Sequence, residues 1–133
     1  MKADLEKLSA RITGEGGDAA VRASATEAAL AARLEADGWE AVRVDRAPVF
    51  DRATLLHALY QACRFPAWFG FNWDALLDAL AEPPPAPARG RALVFARLDL
   101  LEEREPETAR TFLEVVADAR ARGAAVRVVR LGR

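Results

Sequence analysis

The stretch Phe65-Pro-Ala-Trp-Phe-Gly-Phe-Asn-Trp-Asp-Ala-Leu-Leu-Asp-Ala-Leu80 decides how the chain is read. Asn72 is a strong helix N-cap, because its side-chain oxygen can take a backbone N–H that the first turn leaves unpaired. From there Trp73, Leu76, Leu77 and Leu80 repeat at the 3, 4 and 7 spacing of a helix facing a core. At about 100° per residue, Asp74, Asp78 and Glu82 then stack at i, i+4 and i+8 on the opposite side. No Lys or Arg lies between Phe65 and Glu82, so the segment reads as an uncompensated acidic ridge. Asp74 also has a structural explanation, since an acid in the first turn meets the positive end of the helix dipole. Asp78 is harder to explain that way, because like charges four residues apart destabilise an isolated helix by about 0.2–0.5 kcal/mol.

The approach to this helix crowds Trp68, Phe69, Phe71 and Trp73 around Gly70 and Asn72. Gly70 reads as a permissive backbone position, and not all four aromatics can point inward. One or two left outside, with Trp68 the leading candidate and Phe71 beside it, would form an aromatic and charged surface of the kind that binds proteins.

Working outward, residues 1–17 combine Leu5, Leu8 and Ile12 with the breakers Gly14, Gly16 and Gly17, which predicts a loosely structured start. Ala19–Ala23 can form a short strand, and Ser24-Ala-Thr-Glu27 reads as a capping box opening a helix with Leu30 and Leu34 inward and Gly38 at its end. Trp39–Asp45 reads as a strand. Asp51 caps a helix whose Leu55, Leu56, Leu59 and Cys63 share a stripe. Pro83-Pro-Pro-Ala-Pro87 stops the ridge helix, and Ala92–Arg97 reads as a buried strand. Pro106 opens a last helix with Ala109, Phe112, Leu113 and Val116 inward, Gly123 closes it, and Ala125–Leu131 is the final strand. Strands separated by helices predict an α/β fold over residues 18–133. Its parallel sheet would have three strands, or four if Ala19–Ala23 joins, packed with helices.

Composition excludes several functions. Nineteen Lys and Arg against 20 Asp and Glu give a formal charge of −1, so there is no global basic field to hold nucleic acid. One cysteine and one histidine cannot build a disulfide or a structural zinc site. No apolar run approaches the roughly 20 residues of a membrane helix. No apolar segment follows Met1 and Lys2, so a cytoplasmic location is expected. His57 and Cys63 lie six apart on one helix and point different ways, His57 on the polar face and Cys63 on the inward stripe, which makes them no nucleophile and base pair. Gly14-Glu-Gly-Gly17 lacks the lysine of a phosphate-binding loop. No cofactor, metal or catalytic group is expected.

The run P-x-W-F-G-x-N-W-D-A-L-x-D-A-L at residues 66–80 resembles the signature of the barstar-related family of intracellular ribonuclease inhibitors, and the similarity in element order spans about residues 40–131. The resemblance implies a two-layer fold of a small parallel sheet and helices. It also implies that Asp74 and Asp78 enter a nuclease active site where substrate phosphates would lie, that Trp68 packs over the same cleft, and that Asp118 on the last helix adds a contact. Phe71 and Glu82 complete the candidate surface. The chain departs from the family pattern at Trp68, where a tyrosine is familiar, at Leu77, where a tryptophan stands, and at Asp118, which is shorter than the family's glutamate. The Pro83–Pro87 loop and the first forty residues are its own. The implied partner is a basic ribonuclease like barnase or another nuclease toxin, bound by a protein that is monomeric when free and touches neither nucleic acid nor membrane. The same scaffold could instead be an interaction module for a non-nuclease partner with a basic groove. An enzyme would need Asp74 and Asp78 to share a proton or hold Mg²⁺.

Overall fold

Four short strands form one sheet in a computed structural model that describes residues 2–14, 20–85 and 87–132. The elements are α1 (Lys2–Thr13), β1 (Ala20–Ala23), α2 (Glu27–Ala36), β2 (Glu40–Arg43), α3 (Arg52–Ala62), α4 (Trp73–Ala81), β3 (Arg91–Phe95), α5 (Leu98–Arg104), α6 (Pro106–Ala121) and β4 (Val126–Leu131). Strand order is β1-β4-β3-β2, every pairing is parallel, and Leu93 stands between Val42 and Val128. The α/β class and the small parallel sheet are those the sequence implies. The strand at 20–23 makes the sheet four-stranded, while Gly16, Gly17 and Ala19 lie outside the described residues.

Alternation along the strands sorts the core. Leu93 and Phe95, with Val42, Val44, Val126 and Val128, face the helices of residues 52–121. Ala92, Val94 and Val129, with Trp39, face Ile12 of α1 and Leu30 and Leu34 of α2. Helices therefore cover both faces, and the expected two layers become three. The physical cause is β3, whose five residues are all buried; a parallel strand with apolar side chains on both faces needs cover on both.

The loose start expected for residues 1–17 is likewise corrected over 2–13. That segment is a helix packed on α2, with Ile12 and Ser9 fully buried and the Ser9 hydroxyl donating to Asp37 Oδ2 at 2.5 Å. The cap of α2 is Thr26 instead of Ser24, its oxygen accepting from Ala29 N. At the other end Trp39 N reaches back to Leu34 O in a glycine-closed turn through Gly38. The short α5 between β3 and α6 seats Leu98 and Leu101 in the core. Among the described residues, no helix is long and apolar enough to cross a membrane.

Candidate functional site

Asn72 fixes where α4 begins: its Oδ1 accepts from Ala75 N at 2.8 Å while its Nδ2 donates to Gly70 O at 3.3 Å. Leu76, Ala79 and Leu80 are buried, and Trp73 and Leu77 pack half-buried against the same core. With one face locked, the other has no freedom to turn, and it carries Asp74 and Asp78 exposed to solvent.

Two features of the expected ridge change. Glu82 is the C-cap of α4 with an extended backbone, φ −74° and ψ 144°, so it leaves the helical line that Asp74 and Asp78 share. Nor is the ridge uncompensated. α4 packs against α6, and Arg122 at the C-cap of α6 donates through Nη1 to Asp78 Oδ1 at 3.2 Å. The Arg and Asp side chains are 52% and 64% exposed, so the contact is a surface pair that solvent and partners can reach. Asp118 is exposed on α6 one turn before Arg122, the residue that ties the end of α6 to α4.

The aromatic approach divides. Phe69 is buried, its ring 5.0 Å from Phe65 and 5.9 Å from Tyr60. Trp68 is 51% exposed and Phe71 39%. The left-handed residue of this turn is Phe71, at φ +52°, and not Gly70. At Gly70 space is tight, since a Cβ there would sit 3.2 Å from Asn72 Nδ2 and the amide would have to give by a few tenths of an ångström. The Phe71 ring is held against His57 at 4.9 Å and Tyr60 at 5.0 Å, contacts that offset the cost of its backbone angle. Neither Arg122 nor this strained phenylalanine could be found from local periodicity, because both depend on neighbours distant in the chain.

His57 is exposed on α3, whereas Cys63 is buried and its thiol is pushed up to about 12 by desolvation. Among the described residues no group of three His, Cys, Asp or Glu side chains could hold a metal ion. What the arrangement provides is two carboxylates at fixed helical spacing, with exposed aromatic surface in the turn that leads into their helix.

A family model described as Barstar (barnase inhibitor) matches residues 39–130. The match takes in Trp68, Phe71, Asp74, Asp78, Glu82 and Asp118, and leaves α1, β1 and α2 outside. Comparison with the curated proteins gave no match.

Proposed function

We propose, on the premise that this chain belongs to the barstar (barnase inhibitor) family, that it blocks the active site of a basic ribonuclease with the exposed face of α4. The observation that carries this reading is the pair Asp74 and Asp78, solvent-exposed on a helix whose opposite face is buried, with an exposed Trp68 in the turn that leads into it. A ribonuclease cleft holds phosphate with Arg, Lys and His. Carboxylates already fixed in space can accept charge-assisted hydrogen bonds from those groups with little further ordering entropy. Asp78 takes the central role, Asp74 and Trp68 flank it, Asp118 contributes from α6, and Phe71 and Glu82 lie at the margin. The protein acts by binding, without turnover, and works as a monomer in the cytoplasm.

Calorimetric titration against barnase-type ribonucleases at low and moderate salt, with Asp78→Ala as control, tests this. Tight binding that weakens with salt and is lost in the variant supports it. Binding that ignores Asp78→Ala would remove the assignment. No binding to any ribonuclease by a folded protein would favour a non-nuclease partner with a basic groove.

A further inference from the structure

A groove of about 420 Å³ runs between the β2–α3 connection and α3. Apolar Val44, Ala47, Pro48, Ala58 and Ala62 line it together with the polar Arg43, Arg46, Thr54, His57 and Gln61. Among the described residues no Asp or Glu lines it. The two acids of the connection are engaged elsewhere: the Asp45 carboxylate accepts from the backbone N–H of Ala96 at 2.8 Å and Arg97 at 2.7 Å, and Asp51 Oδ1 accepts from Thr54 N at 2.8 Å. Arg43 is already answered by Glu27 at 2.7 Å, but Arg46 makes no ion pair among the described residues.

The walls are built to stay in place. Asp45 pins one end of the connection, buried Val49 plugs beneath it, and the Asp51–Thr54 capping box fixes the start of α3. A volume in the small-molecule range, mostly apolar walls and a few polar groups among them are the general features of a ligand pocket.

We infer that this groove binds a small organic anion, a carboxylate carried on a flat apolar body. The body rests on Val44, Pro48, Ala58 and Ala62, and the carboxylate meets the Arg46 guanidinium, with the Gln61 amide and the His57 ring as further donors. A bare anion gains nothing from the apolar lining, and a neutral body of the same shape gains nothing from Arg46. Because the His57 ring also touches Phe71 at 4.9 Å, an occupied groove is felt at the edge of the aromatic approach to α4.

The test follows backbone and side-chain NMR signals of the full chain during titration with benzoate, with acetate and benzyl alcohol as the bare anion and the neutral body. Benzoate should give saturable shifts confined to Arg43–Pro48 and Thr54–Ala62, spreading to Phe71, and acetate and benzyl alcohol should bind about tenfold or more weakly. Arg46→Gln should weaken benzoate by a similar factor while leaving the spectrum of the free protein otherwise unchanged. Equal response to acetate, shifts scattered over surface arginines, no saturation, or indifference to Arg46→Gln would each overturn the site. None of these readouts involves a ribonuclease, so the outcome is independent of the function proposed for α4.

Discussion

Arg122 Nη1 donates to Asp78 Oδ1 at 3.2 Å although 44 residues separate the two in the chain. The pair joins the C-terminal end of α6 to the exposed face of α4, and it occupies the carboxylate that the proposed function places at the centre of the interface. A nuclease cation that bonds Asp78 must displace Arg122 or share the carboxylate with it. Exposed pairs contribute little to stability, so Arg122→Ala should leave Tm within about 2 °C and raise affinity for the ribonuclease severalfold, seen as tighter binding in calorimetry. A loss of affinity would mean that Arg122 itself touches the partner.

Helix α1 gives a second expectation. Ile12 is fully buried between α2 and the sheet, and Ser9 ties α1 to Asp37. Ile12→Ala should therefore destabilise the fold by about 2–5 kcal/mol, nearer the lower figure because a peripheral helix can settle into the space. Urea unfolding monitored by tryptophan fluorescence measures it. An effect close to zero would return this segment to the status of a loose tail.

That helix shows where sequence reading stopped. The N-caps Asn72 and Asp51 and the stripe of α4 were legible because each is a local signal, complete within one or two turns. The exposure of Asp74, Asp78 and Trp68 followed from the same periodicity and from the impossibility of burying four adjacent aromatics. By contrast Leu5, Leu8 and Ile12 make a stripe too short to signal docking, and only the buried Ala92 and Val94 on the far face of β3 demand that something cover them. Leu98 and Leu101 are likewise too few to announce α5. The neutralising Arg122 and the positive φ of Phe71 arise from α6 packing on α4 and from His57 and Tyr60 on α3, which no window around residue 70 contains.

Acid should find particular weak points. The Asp51 carboxyl lies below its ordinary value of 3.8 because it accepts first from the backbone and then from the side chain of Thr54. Asp37 is lowered by the Ser9 hydroxyl and then by Arg33, and Asp99 by Arg97. Each is more acidic folded than unfolded, so its contribution is complete above 3.8 and disappears as pH falls through the lower folded value. Melting temperature should stay nearly flat from roughly pH 7 to 5 and drop below about 4. Asp51→Ala should cost about 1 kcal/mol at neutral pH, as the loss of a helix cap does, and shallow the acid limb. An unchanged acid limb in that variant would assign the drop to other carboxylates.

Cys63 offers a direct probe of opening. Its thiol is buried and pushed up to about 12, desolvation outweighing the nearby positive charge of Arg91. Native protein should resist a thiol-specific reagent at about pH 8, where a free cysteine is partly thiolate. Labelling should become fast in urea with the same midpoint as tryptophan fluorescence. Rapid labelling without denaturant would show that α3 opens locally.

Among the described glycines, the tightest packing constraint is at Gly90, just before β3. A Cβ built there would stand 2.7 to 2.8 Å from three ring atoms of Trp39, nearer than such atoms approach one another. The indole is 96% buried, and the Arg127 guanidinium lies 5.4 Å from its ring centroid, so the ring has little room to retreat. Nor can the backbone at Gly90 move away freely, since its carbonyl accepts from Glu40 N at 2.9 Å where β2 meets β3. Gly90→Ala should accordingly destabilise by about 1–3 kcal/mol through overpacking and perturb the tryptophan near-ultraviolet circular dichroism. Trp39→Leu removes the obstruction, so adding Gly90→Ala to that variant should cost much less than adding it to the wild type. Equal costs in the two backgrounds would show that the indole is not what excludes a side chain at residue 90, and would place the constraint in the backbone at the start of β3 instead.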